Sequence, residues 1–329
     1  MPGPRESMAR DVLSSYYGIR RVTIRPIEYG LINWLARVDA SNQSYVLKRY
    51  NPAYFRPQNV ELSVEAQHHC YTRGVPVPAL VPNRNGELIT WAPDAGYVLS
   101  ERVEGRHLQP GTYSSVAANS LGEAVGKVVL ALANDWRELR EPWTLQQPHE
   151  TVSRFERLLV AAEKGTTELD RRTAQDVRVR LAFLHRHPDL YAQVSVVPMQ
   201  WIHCDFLETN VLFADNDTVS AVVDFDNTTV LPRGFDFMRA LVYCVTPTVP
   251  ERDQYLRGYL DTVQPDRDEL STYVPLWMYT AVCDIWPLEI RYLEPERFDP
   301  RWERACWAAF LSDDWETGLE KVADWLVKE

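Results

Sequence analysis

The eight residues His203-Cys204-Asp205-Phe206-Leu207-Glu208-Thr209-Asn210 set a carboxylate and an amide side chain five positions apart, and a second carboxylate, Asp224, closes the apolar run VSAVV that follows. Transfer of a phosphoryl group to a hydroxyl calls for these types. One carboxylate must take the hydroxyl proton, and a pair of hard oxygens must hold Mg²⁺ on the phosphates. Asp205 is then the base, with Asn210 and Asp224 as metal ligands on the short hairpin that NVLFA, a DND turn and TVSAVVDF predict. The plain alternative is a loop whose Asp and Asn make only local turn hydrogen bonds. Two upstream residues argue against it: Lys48 in the strand-like YVLKRY can reach α and β phosphates, and Glu65 in the next predicted helix can hold that lysine, Glu61 being the competing choice. His203 is expected to brace the loop by hydrogen bonding, and Asp236 to tie the hairpin to the following helix by capping or hydrogen bonds. Asp226 is left as either a second metal neighbour or a wall of the acceptor site.

The elements that position these groups fall into two textures. VTIRPIEY, NWLARVDA and SYVLKRY alternate apolar with polar residues between turns containing Gly30 and Asn42, which predicts an antiparallel meander. Residues 58–73 carry helix formers and stop at Gly74; LVPNRNGELITW holds an Asn-Gly turn between two apolar arms, and GYVLSERVEG resumes an extended pattern. Beyond Gly105 apolar residues recur at spacings of three and four through NSLGEAVGKVVLALANDW, ETVSRFERLLVAAEK, TAQDVRVRLAFLHRH and most of 268–329. The division predicted is 1–104 for a nucleotide-binding lobe and 105–329 for a catalytic and substrate-binding lobe.

Composition narrows the setting. A chain of 329 residues, 45% hydrophobic and 25% charged, can bury two cores. Its five cysteines are far apart and show neither C-x-x-C nor Cys/His ligand spacing, which disfavours a disulfide framework or a zinc site and fits the reduced thiols of a cytosol. The sequence shows no secretory apolar region and no run approaching 18 apolar residues, so a cytoplasmic protein without membrane association is expected. A net charge of −11 argues against nucleic acid as a partner. The charge is unevenly spread: 12 Lys+Arg against 10 Asp+Glu through residue 104, then 23 against 36. The acidic remainder favours a cationic acceptor, with a merely solvated acidic surface as the alternative.

Taken together these motifs resemble the aminoglycoside phosphotransferase and choline kinase-like superfamily of small-molecule kinases. The resemblance runs from GLINW through VLK, EAQHHCYTRGVPVP, YVLSERVEG, HCDFLETN and VVDFD to FDFMRAL. It implies an α+β, bilobal protein kinase-like fold, with a five-stranded antiparallel sheet plus one helix in the N-lobe and a larger, mainly helical C-lobe carrying a catalytic β-hairpin. It implies ATP, with GTP as an alternative donor, and Mg²⁺. It points to Gly30 and Asn33 as the phosphate-covering loop, to Ser100, Glu101 and Val103 as the adenine-binding hinge, and to MYTAVCDIWPLEIRYLE as the acceptor region. There Asp284, Trp286, Glu289 and Tyr292 are the candidates, a core aromatic stripe being the plain alternative. The expected activity is phosphorylation of a small-molecule hydroxyl on an aminoglycoside-like antibiotic, conferring antibiotic resistance, on an amino alcohol such as homoserine or choline, or on a related metabolite. A kinase-fold binding or structural protein, like some spore-coat relatives, is the competing class. Relatives usually have Gly where Cys204 stands, and Asp224-Phe225-Asp226 replaces D-F-G. The short distance from Asp224 to Asp236 leaves no room for a long activation loop.

Overall fold

The structure, a computed structural model, describes residues 4–27, 32–41, 43–133, 136–137, 147–246, 250–311 and 315–326; Gly30 and Asn42 lie outside them. After helix α1 (Pro4–Val12) come β1 (Thr23–Ile27), β2 (Trp34–Asp39), β3 (Ser44–Arg49), helix α2 (Pro57–Thr72), β4 (Thr90–Trp91) and β5 (Gly96–Glu101). The strands form one antiparallel sheet in the order β1-β2-β3-β5-β4. Alternation along the strands sorts residues to two faces. Ala36, Val38, Leu47, Tyr97 and Leu99 bury against Ala9, Val12 and Leu13. Val98, opposite Lys48 in the β3–β5 register, clusters with Val60 and Val64 of α2, so Lys48 shares the face that α2 covers. Pro57 opens α2, where its missing N–H costs nothing, and Gly74, at φ +75°, turns the chain out of it.

The Asn-Gly turn behaves differently from a hairpin. Asn83 Oδ1 accepts from the N–H groups of Asn85 and Glu87. The arms are hardly strands: the first contributes an isolated bridge from Leu80 to Ser100, the second the two residues of β4.

The remaining described α-helices and strands are α3 (Ser115–Ala131), α4 (Pro148–Ala162), α5 (Glu168–Arg186), α6 (Leu190–Val194), β6 (Gln200–Ile202), β7 (Val211–Phe213), β8 (Val219–Val222), β9 (Thr229–Leu231), α7 (Gly234–Ala240), α8 (Glu251–Val263), α9 (Arg267–Cys283), α10 (Trp286–Leu293), α11 (Glu303–Ala308) and α12 (Trp315–Leu326). The chain divides into two compact units. The first comprises Met1–Leu139, Gln200–Thr229 and Arg239–Gln264, and the second Arg140–Met199, Val230–Met238 and Pro265–Glu329.

The first unit holds the sheet, α2, the antiparallel β7–β8 hairpin, and α3 packed on α8. A Cβ at Gly122 would strike the backbone of Tyr255 and Tyr259, and one at Gly258 that of Asn119, so only glycines let these two helices approach so closely. Arg106 pairs with Phe213 through both backbone bonds, each 2.9 Å, and Val222 N–H donates to Pro76 O at 2.7 Å, which ties the hairpin to the segments around it. The second unit is helical and centres on Arg180, fully buried. Its guanidinium bonds Asp176 at 2.6 Å and the carbonyls of Ala281, Val282 and Ala309. A buried charge is tolerated when so many acceptors surround it. No described helix is long and apolar enough to cross a membrane.

Candidate active site

The loop after β6 is fixed by its histidine. Buried His203 accepts the Asp205 N–H at Nδ1, 3.1 Å, which leaves Nε2 as the donor to Val223 O, also 3.1 Å. Phe206 and Phe225 enclose the ring at 4.8 and 4.5 Å between centroids. Burial pushes the His203 pKa down and keeps the ring neutral, as a group that both donates and accepts must be. The following residue, Cys204, sits at φ +65°, in the left-handed region where a β-carbon costs about 1 kcal/mol. This is the position at which the family resemblance implies Gly. The loop keeps the conformation that Gly would favour and absorbs the strain.

That turn presents Asp205, whose side chain is 13% exposed. Its Oδ1 accepts from Arg239 Nη2 at 2.7 Å and its Oδ2 from Asn210 Nδ2 at 3.1 Å. Asn210 Nδ2 also donates to the Asp205 carbonyl at 2.9 Å, which fixes the amide so that its oxygen is the atom not used within the loop. Arg239, on α7, lies over the Tyr243 ring at 5.1 Å. The sequence reading missed it: no spacing links a single helical arginine to a carboxylate 34 positions earlier.

Beyond β8 a second group converges. Lys48 Nζ lies 2.7 Å from Asp224 Oδ1 and 2.6 Å from Asp226 Oδ2. Burial pulls the Lys48 pKa down, but the two carboxylates outweigh it and hold the ammonium charged. Asp224, at φ +68°, keeps 43% of its side chain exposed, against 8% for Asp226. Burial works against ionisation of Asp224, yet the Lys48 ammonium holds it below the usual carboxylate range. For Asp226 burial prevails over Lys48 and, with Asp224 adding repulsion, pushes the pKa up to about 6.

Several expected partners are elsewhere. Glu65 is bonded to Arg137 at 2.5 Å and is exposed, as is Glu61, so neither carboxylate of α2 holds Lys48. The α2 residue that faces the cluster is Ser63, whose Oγ donates to Asp226 Oδ1 at 2.9 Å. Helical spacing explains this: Ser63 shares a buried face with Val60 and Val64, and the two glutamates lie off it. Asn33 donates to Asp226 at 2.6 Å and accepts from the Asn51 N–H at 3.0 Å. Gly30, its companion in the expected phosphate loop, lies outside the described residues. At the hinge, Ser100 and Glu101 belong to β5, and the Glu101 N–H donates to Ala79 O at 2.9 Å. Val103 comes after the strand, and no described residue bonds its backbone.

In the second unit Glu289 pairs with Arg154 at 2.7 Å, and Tyr292 donates to Asp170 at 2.7 Å. Both are therefore engaged in holding α10 to its own unit. Burial raises the Glu289 pKa against the pull of Arg154. Asp284 is exposed, and Trp286 is 39% exposed with its ring edge-on to Trp302. Asp236 is fully buried in the first turn of α7.

The donor set suits a hard divalent cation bound together with phosphates. Two carboxylates face one ammonium, leaving negative charge over, and Asn210 adds an amide oxygen. Among the described residues no cluster of three or more His, Cys, Asp or Glu could hold a metal by itself, so the phosphates would complete the shell.

Comparison with solved structures gives the fold. A spectinomycin phosphotransferase, in complex with ADP and spectinomycin, is 14% identical over 92% of this chain and 98% of its own, TM-score 0.61. A kinase of amicoumacin bound to AMP-PNP and Ca²⁺ is 16% identical, covering 99% and 94%, TM-score 0.62. A microcompartment-associated aminopropanol kinase is 17% identical, covering 98% of each chain, TM-score 0.64. At such identities the likeness shows a shared α+β, bilobal kinase-like fold. A search among curated proteins gave no match. The sequence model described as "Phosphotransferase enzyme family" matches residues 23–273.

Proposed function

The chain belongs to the phosphotransferase enzyme family, and from that premise we propose that it transfers the γ-phosphoryl group of ATP to a hydroxyl of a small, cationic molecule. The observation that carries this is that the first unit pairs Asp205 with Asn210 and Asp224 with Lys48, and links the two pairs through His203, which bonds the Asp205 N–H and the carbonyl of Val223 beside Asp224, and through the Val223 N–H, which donates to the Asn210 carbonyl. Residues 1–104 act as the nucleotide-binding lobe and 105–329 as the catalytic and acceptor-binding lobe. The ADP and AMP-PNP complexes of similar structures support a nucleotide donor, and the Ca²⁺ in one supports a divalent cation. Their names support a small-molecule acceptor.

Mg·ATP supplies the phosphoryl group and the cation charge. Asp205 orients the acceptor hydroxyl and takes its proton; each of its oxygens already accepts one hydrogen bond and retains a lone pair for this. Arg239 holds one oxygen of Asp205 by a charged hydrogen bond and so fixes the direction in which the carboxylate faces. Asn210 and Asp224 offer oxygen ligands to the cation, and Lys48 offers its ammonium to the phosphates. The excess of 36 acidic over 23 basic residues after position 104 favours a cationic acceptor.

The test is ATP consumption with Mg²⁺ across aminoglycosides, amino alcohols and neutral polyols of similar size. Turnover with amines is expected. Turnover confined to polyols would overturn the cationic acceptor, and failure to bind ATP would overturn the reading itself.

A further inference from the structure

Lys48 lacks the α2 carboxylate that the sequence led us to expect, and something else must hold it. Asp226 receives three donors from three separate segments: Lys48 Nζ at 2.6 Å from β3, Asn33 Nδ2 at 2.6 Å from the residue just before β2, and Ser63 Oγ at 2.9 Å from α2. Each donor is fixed in turn. Asn33 accepts from the Asn51 N–H at 3.0 Å, Ser63 is 4% exposed and shares a hydrogen bond with Tyr50 at 3.2 Å, and the Lys48 ammonium stands over the Tyr50 ring at 5.0 Å. Helix α2 packs directly on the turn Phe225–Asn227 that carries Asp226.

Asp224 makes the opposite arrangement. It bonds Lys48 alone among these donors and keeps 43% of its side chain exposed, where Asp226 keeps 8%. A half-exposed carboxylate that takes one of these donors can turn toward a cation; a buried one holding all three cannot do so without stranding them. Resting on the reading of the protein as a nucleotide-dependent phosphotransferase, we propose that Asp226 is the positioning residue for Lys48, doing from the hairpin what a helix carboxylate would do from α2, and that it is not a metal ligand. Ser63 and Asn33 are then parts of the same anchor, and α2 is linked to the phosphate-binding lysine through a hydroxyl rather than a charge.

Two experiments test this, and the first needs no nucleotide. In a thermal-denaturation cycle on the nucleotide-free protein, the losses from Lys48→Met and Asp226→Asn should fail to add, because both remove the same contact. Additive losses would overturn the anchor. The second is ATP binding by calorimetry with EDTA and again with Mg²⁺. Asp226→Asn should weaken ATP about tenfold in both media, and Ser63→Ala about threefold in both, since each acts through Lys48 and not through the cation. If Asp226 ligated the metal, the EDTA affinity would equal that of the wild type and only the Mg²⁺ affinity would fall. A wild type that binds no ATP while the cycle shows coupling would reject the proposed function and leave the anchor standing. Ser63→Ala keeps the test open should Asp226→Asn not fold.

Discussion

The β7–β8 hairpin of the first unit and the α9–α10 segment of the second both carry the charged and aromatic residues that a binding site needs, yet the structure treats them differently. Around the hairpin the charges bond across elements distant in sequence: Lys48 to Asp224, Arg239 to Asp205, Asn33 to Asp226. Along α10, Glu289 and Tyr292 are engaged by Arg154 and Asp170 of neighbouring helices, which leaves Asp284 and Trp286 as the exposed pair. The hairpin gathers charge for use, whereas α10 spends much of its charge on holding itself in place.

Four substitutions would break or sharpen that contrast. Asp224→Asn, which removes the exposed ligand carboxylate, should lower Mg²⁺-dependent turnover on the order of a thousandfold while ATP binding in EDTA changes little; steady-state kinetics and calorimetry together check it. Arg239→Ala should lower kcat about tenfold or more with little change in ATP affinity, since it removes a charged hydrogen bond to the base and not to the nucleotide. Glu289→Gln should act on stability instead, costing about 2 kcal/mol, or several degrees in Tm by calorimetry, with kcat and acceptor KM unchanged. A raised acceptor KM at normal Tm would move Glu289 from scaffold to binding site and erase the contrast.

The smallest effect concerns His203 and pH. Its folded pKa lies below the ordinary value near 6.5, so the unfolded chain binds the extra proton first as pH falls. Its contribution is therefore present above about pH 6.5 and is lost on acidification. The Tm advantage of wild type over His203→Gln should shrink between pH 7 and pH 5, and comparing the two proteins cancels the opposing titration of Asp226, whose raised pKa stabilises the folded state toward acid. An advantage that stays constant over that range would mean that His203 is not held neutral.

What could be read from the sequence followed from local rules. Strand alternation located β1, β2 and β3 within a residue or two, because one face of each must bury, and it located the start of β5 at Gly96 but carried that strand past its end at Glu101. The contacts within the loop from His203 to Asn210 were legible because their partners stand two and five positions apart along the chain. The lysine partner was misjudged because the helix was read by residue type. Read by face, Val60 and Val64 already carry Ser63 inward and leave Glu61 and Glu65 outside. Arg239 left no local trace, because its partner Asp205 is reached only through the fold. The two short arms beside Asn85 and Gly86 looked like strands from composition, but only two residues of the second find a partner strand.

The central claim is that Asp205 is the base of a phosphoryl transfer to a small-molecule hydroxyl. Its most direct test is a comparison of wild type with Asp205→Asn, measuring transfer of labelled γ-phosphate to the acceptor panel and, in parallel, ATP affinity. The account predicts a labelled product from the wild type, a loss of about a hundredfold or more in the variant, and ATP affinities within a few-fold of each other. Equal transfer by both proteins would contradict it.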